Sequence, residues 1–265
     1  MKLRLLRNAT LKLDILGRSI LIDPFFAPKG SRPSFTGRAS NPLVELPASP
    51  EEILDGVELV VVSHLHADHF DPVAQSLVPK HLPLICQPGD EDKIRSYGFS
   101  DVAPLTHLID WQGIRFQRHE GSHGLGPVEK KMGQVMGFTV TAKGEPSLYW
   151  AGDTVLYPAV ETTITETRPE IIVIHPCGAR WDGDLITMDA AEAVATCRLA
   201  PDARVIATHM ESLDHATVTR DELRRYAVEQ GVTPRQLLIP QDGEVLALKA
   251  GRSGRSAFAS EGSES

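Results

Sequence analysis

The stretch Val60-Val61-Val62-Ser63-His64-Leu65-His66-Ala67-Asp68-His69-Phe70 restricts this chain more than any other. Three β-branched residues predict a buried strand, and three histidines and a carboxylate follow at once. A polar turn capping a strand uses one or two such side chains and has no use for three imidazoles, so the cluster reads as a metal site. On extended backbone, side chains two apart share a face, so His64 and His66 can converge just past the strand. Asp71-Pro72 signals the entry to a helix. The chain therefore turns at Asp68 and His69, His69 can aim elsewhere, and one cluster can serve two metal ions.

With 265 residues the chain has room for one large α/β domain or two small ones. A formal net charge of −8 argues against a general nucleic-acid surface and a basic membrane-binding face, and any anionic substrate needs local positive charge. Cys86, Cys177 and Cys197 are far apart and in no CxxC arrangement, which predicts neither a disulfide framework nor a zinc finger and suits a reducing, cytoplasmic compartment. Asn8, Lys12 and Asp14 interrupt the basic, apolar N-terminus before a signal-peptide core can form. No run reaches the roughly 20 apolar residues of a membrane span.

Residues 3–7, 11–16 and 19–22 read as strands joined by tight turns, ending at Asp23-Pro24, where the acid either caps a turn or serves the site. Residues 27–50, rich in Pro, Gly, Ser and Arg, read as a lid or substrate-binding loop with Arg32, Arg38 and Asn41 as its polar candidates. Strands are predicted at 59–62, 82–87, 102–105, 113–118, 134–142, 147–151, 171–174, 204–208, 236–239 and 244–249. Helices are predicted at 51–54, 72–77, 91–97 closed by Gly98, 188–199 opened by Thr187, and from the Thr219-x-x-Glu222 capping box to Gly231. From Gly251 onward the Gly, Ser, Arg and Glu content predicts a disordered tail. Further metal-ligand candidates, His119 or His123, Asp153 and His209, all stand at or just after strand ends, where open α/β sheets bind ligands.

The His64-x-His66-x-Asp68-His69 run, with these isolated downstream candidates, resembles the metallo-β-lactamase superfamily over roughly residues 1–250. The resemblance implies one αββα sandwich domain holding two divalent metal ions, zinc first, with manganese or iron as alternatives. It implies one metal on His64, His66 and His123, the other on Asp68, His69 and His209, and Asp153 bridging. His123 is favoured over His119 because a His-Gly pair, followed by Met132-Gly133 and Gly137-Phe138, matches the superfamily order; strand alternation alone would also let His119 face the site. Asp68 is both ligand and catalytic carboxylate, and Asp23 a residue behind the ligands. Asp23-Pro24, Gly152-Asp153-Thr154 and His209-Met210-Glu211 look most like the branch of ascorbate-phosphate lactonases and N-acylphosphatidylethanolamine phospholipases. That branch often carries Gly-His at the first strand turn, where this chain has Arg7-Asn8, so no histidine role transfers there.

The function implied is hydrolysis of an ester, lactone or phosphodiester of a small molecule by a metal-bridging hydroxide. Two divalent cations outweigh two carboxylates and one hydroxide, leaving positive charge for a developing oxyanion. His175, Arg180 and His215 are candidates for substrate contact. The alternatives are a nuclease or phospholipase on the same metal core, which the acidic balance disfavours, and a non-catalytic metal-binding or sensor protein. Seven ligands exceed the four with which structural zinc sites close.

Overall fold

The computed structural model describes residues 1–250. The tail expected from Gly251 lies outside them. Among the described residues two seven-stranded mixed sheets carry the fold. The first contains β1 (Lys2–Arg7), β2 (Thr10–Ile15), β3 (Arg18–Ile22), β4 (Val57–Val62), β5 (Leu84–Cys86) and β6 (Val102–Pro104), with the late strand β16 (Val245–Ala247) antiparallel to β1 at the edge. The second runs from β7 (Leu108–Trp111) through β8 (Ile114–Glu120), β9 (Met136–Ala142), β10 (Leu148–Trp150), β11 (Ile171–Ile174) and β14 (Arg204–Ala207) to β15 (Leu237–Leu238). A small hairpin, β12 (Arg180–Trp181) and β13 (Asp184–Leu185), stands apart from both.

Period-two alternation on doubly covered strands produces the layers. In β4, Leu59 and Val61 pack into the core between the sheets, while Val60 and Val62 face the helices α1 (Pro50–Leu54), α2 (Pro72–Leu77) and α3 (Glu91–Ser96). In β11, Ile171 and Val173 face inward, and Ile172 and Ile174 pack under α5 (Pro158–Thr167), α6 (Ala190–Leu199) and α7 (Arg220–Glu229). Burial on both faces is why such strands read as unbroken apolar runs. The result is the αββα sandwich, and no described helix is long and apolar enough to cross a membrane.

Local chemistry sets the helix starts. Asp71 accepts from the amides of Val73 and Ala74, fixing the turn that follows the histidine cluster, and Pro72 takes the first helical position. Thr219 and Glu222 form the expected capping box of α7. The start predicted at Thr187 moves to Asp189, whose carboxylate accepts from Ala191 and Glu192, while the Thr187 hydroxyl accepts from the amide of Ala179. Two helices, α4 (Pro127–Met132) and α5, and the strands β7, β12 and β13 are additions to the expected elements.

Candidate metal centre

The two sheets bring their strand ends to one place. From the first come Asn8 in the β1–β2 turn, Asp23 after β3, and His64, His66, Asp68 and His69 after β4; from the second come His123 after β8, Asp153 after β10, His175 after β11 and His209 after β14. Donor atoms of His64, His66 and His123 lie within 4.8 Å of one another, and so do those of Asp68, His69, Asp153 and His209. Asp153 reaches both groups: its Oδ2 is 3.4 Å from His123 Nε2 and 3.2 Å from His69 Nε2, and its Oδ1 is 3.7 Å from His209 Nε2. Its approach depends on Gly152, which holds φ +74° and leaves no room for a Cβ beside the carbonyl of Met136 at 3.0 Å.

A second ring of contacts fixes the imidazoles. His64 Nδ1 lies 3.1 Å from Ser63 Oγ, His69 Nδ1 donates to Asp23 Oδ2 at 2.8 Å, and His123 Nδ1 donates to the Ile186 carbonyl at 2.6 Å, so each turns Nε2 toward the cluster. His66 is reversed: its Nε2 donates to the Met132 carbonyl at 2.8 Å, leaving Nδ1 for the cluster. Asp23 also accepts from the amide and the hydroxyl of Ser63, each at 2.6 Å. His64 Nε2 is buried without a hydrogen-bond partner, and His69 Nε2 is buried facing only the carboxylates of Asp153 and Asp68, at 3.2 and 3.6 Å. Metal-binding histidines characteristically hold one nitrogen on a carboxylate or carbonyl and present the other bare, so these side chains fit divalent cations.

The charges are organised around the carboxylates. Burial opposes ionisation of Asp68 and Asp153, yet histidines His69 and His209 hold both carboxyls well below the usual range. Burial likewise opposes charge on His69, but Asp153, Asp68 and Asp23 outweigh it and lift its pKa to about 10; His209 is raised for similar reasons. Burial pushes His64 and His123 down, with His69 adding to the effect.

Of the two third-histidine candidates, His123 faces the cluster. His119 points elsewhere, half-buried, with Nε2 on Thr139 Oγ1 at 3.2 Å and its ring against Tyr149. The three residues expected to touch substrate stand in different places. His175 is fully enclosed and donates from Nδ1 to Asp153 Oδ1 at 2.6 Å, so it backs the acid and has no face open to substrate; burial lowers its pKa to about 4. Arg180 is exposed on the outer hairpin, where it donates to the Gly183 carbonyl, and lines neither the cluster nor the cavity beside it. His215 stands nearer, feeling the charges of Asp68 and Asp153, with its ring edge-on to Phe35 at 4.8 Å.

Asn8 was not among the expected site residues. Its Nδ2 lies 3.1 Å from Asp68 Oδ2, 3.0 Å from the Asp68 carbonyl and 3.2 Å from His209 Nε2, where sequence shows only a turn asparagine. Asn8, Asp23 and His209 all have left-handed backbone, at φ 59°, 47° and 63°. From the 27–50 loop, Arg32, Pro33, Phe35 and Asn41 help line a cavity of about 150 Å³ whose lining also includes Asp68.

Residues 18–210 match the family described as the beta-lactamase superfamily domain. The UPF0173 protein YddR of Bacillus subtilis (strain 168) is 38% identical over 251 residues, covering 92% of this chain and 98% of its own length. Among solved structures, a possible metal-dependent hydrolase from Veillonella parvula DSM 2008 superposes with a TM-score of 0.90 at 34% identity, covering 94% of this chain and 99% of that one. An isothiocyanate hydrolase from Delia radicum gut bacteria superposes with a TM-score of 0.88 at 33% identity, covering 95% and 100%. The fold, the histidine and aspartate cluster between its sheets and these likenesses agree: the chain belongs to the metallo-β-lactamase superfamily and, within it, to the UPF0173 family of metal-dependent hydrolases.

Proposed function

We propose that the protein hydrolyses a small molecule at a two-metal centre, with one divalent cation on His64, His66 and His123, a second on Asp68, His69 and His209, and Asp153 shared between them. The observation that carries this reading is the orientation of the rings: in four histidines the nitrogen facing away from the cluster already has a partner, and the other is left for a cation. Nitrogen and carboxylate donors suit zinc, with manganese and iron as alternatives. When bound, such ions act as Lewis acids and bring the pKa of water from 15.7 to about 7.

The chain's own groups have distinct tasks. Asp68 belongs to the cluster and also lines the cavity, 7% exposed, where its ionised carboxylate can accept a hydrogen bond from the attacking water and orient it. The Asn8 amide keeps that carboxylate in place. His175 does the same for Asp153. The substrate classes implied by the resemblance are an ester, a lactone or a phosphodiester. The solved isothiocyanate hydrolase adds a fourth, and all share an electron-poor centre open to water. The likeness to ascorbate-phosphate lactonases and N-acylphosphatidylethanolamine phospholipases, resting on Asp23-Pro24, Gly152-Asp153-Thr154 and His209-Met210-Glu211, belongs to this proposal. So does a cytoplasmic setting, which suits three unpaired cysteines. A nucleic-acid substrate fits poorly with a net charge of −8.

The test is turnover of a panel of small esters, lactones, phosphodiesters and isothiocyanates by chelator-stripped and zinc-reloaded protein. At least one class should be hydrolysed by the reloaded protein and fall at least about 100-fold on stripping. Equal rates in the two preparations would overturn the reading.

A further inference from the structure

We infer that the cavity beside Asp68 is the pocket for the apolar part of the substrate, sized for one aromatic ring or a branched alkyl group of similar bulk, with Phe35 and Leu213 deciding what fits. The inference rests on the hydrolase reading and names the substrate class within it.

The apolar lining is Phe25, Pro33, Phe35, Ala67 and Leu213, and the lining also includes Asp68, a member of the cluster. The volume, about 150 Å³, matches that of an apolar cavity that accepts benzene. A group held there is joined to its reactive centre by only one or two bonds if that centre is to meet the cluster. The pocket's polar side chains do not compete for it. Asn41 spends its amide on Asp214 Oδ1 at 2.9 Å and the Pro33 carbonyl at 3.2 Å, and its Oδ1 accepts from the Asp214 amide at 2.9 Å. Arg32 is half-buried, a position from which its stem can cover the pocket while its guanidinium reaches water.

The outer wall is anchored. The Asp214 carboxylate accepts from the Ser34 hydroxyl, from the Phe35 amide at 3.0 Å, and from the amide and hydroxyl of Thr36 at 3.1 and 2.5 Å; Arg38 donates to the Asp214 carbonyl. Burial opposes the charge on Asp214, but these donors hold its carboxyl far below the usual range. Phe35, 48% exposed, therefore stands at the mouth on fixed backbone, its ring braced by His215. An exposed aromatic on a segment whose residues 34–36 make four hydrogen bonds to one carboxylate is costly for a plain connector and useful for a wall.

Toluene binding to the metal-loaded protein, followed by NMR titration, tests the pocket without turnover. Toluene should bind one-to-one, and Leu213→Trp, which fills the space, should weaken it at least tenfold. A single methylene in an apolar pocket is worth about tenfold or more in kcat/KM, so benzyl members of the hydrolysed class should exceed methyl members by at least about 100-fold. Phe35→Ala, a change at an exposed position that the fold tolerates, should cut that preference at least tenfold. Unchanged toluene binding in Leu213→Trp, or benzyl and methyl rates within about threefold, would overturn the inference. Toluene binding that Leu213→Trp abolishes, with no turnover of any compound, would support the pocket and remove the hydrolase reading instead.

Discussion

Each cluster histidine does two jobs with one ring, and the division decides which substitutions matter. His123 offers Nε2 to the cluster and anchors Nδ1 on Ile186, whereas His119 contacts only Thr139 and Tyr149. His123→Ala should therefore lose one equivalent of bound metal, measured by elemental analysis after dialysis, while His119→Ala should keep its full complement; the opposite pattern would exclude the ligand set proposed here. At this scale the sequence was readable where chemistry is concentrated. His64, His66, Asp68 and His69 declare themselves by spacing, and a histidine or acid at a strand end does so more weakly. Asn8 goes unnoticed in the sequence, and the contact of His175 with Asp153 cannot be read from it, for the same physical reason. Their partners are 60 to 201 residues away for Asn8 and 22 for His175, and nothing in a turn asparagine or a loop histidine encodes a remote carboxylate.

Among the elements, α6 carries a titratable switch in stability. Glu192 accepts from the Leu156 amide at 3.1 Å and lies near the Asp189 cap; burial, with Asp189 adding, raises its pKa from 4.5 to about 7. A carboxyl whose folded pKa is raised binds more protons in the native state, so it costs nothing below pH 4.5 and destabilises increasingly as pH rises toward 7. Urea unfolding of Glu192→Gln should lack a loss of about 1–2 kcal/mol that the wild type shows between those limits; identical slopes would refute it. Strands with two covered faces, such as β4 and β11, were legible as apolar runs, and Asp71-Pro72 and Thr219-x-x-Glu222 marked helix starts. The helix α5, Pro-Ala-Val-Glu-Thr-Thr-Ile-Thr-Glu-Thr, was hidden because four threonines have low helix propensity, and only packing of Val160 and Ile164 against the sheet secures it.

For the whole molecule, the centre lies on the seam of the sandwich. The first sheet supplies the His64–His69 run and the second His123, Asp153 and His209, so bound cations would tie the sheets together above their shared core. A ligand at 100 times its Kd adds about 2.7 kcal/mol, and a chain of this size gains about 2–4 °C per kcal/mol. Chelation should thus lower Tm by about 5–10 °C, read by calorimetry with and without restored zinc; an unchanged Tm would show that the sheets do not need the tie. The αββα order was expected from the resemblance to the metallo-β-lactamase superfamily, but the seating of the 27–50 loop on Asp214 could not be read, since an acid in a loop says nothing of which distant amides it will collect.

The left-handed backbone at Asn8, Asp23 and His209 has a consequence for anyone selecting variants of this protein. Each non-glycine residue held there costs on the order of 1–2 kcal/mol, and glycine at any of the three removes that cost together with the side chain that serves the centre. Heat resistance at these positions therefore reads two opposed effects, relief of that strain and loss of the buried contacts and bound cations that the three side chains secure. Sorting on retained metal as well as on heat resistance keeps the two properties from being exchanged for one another.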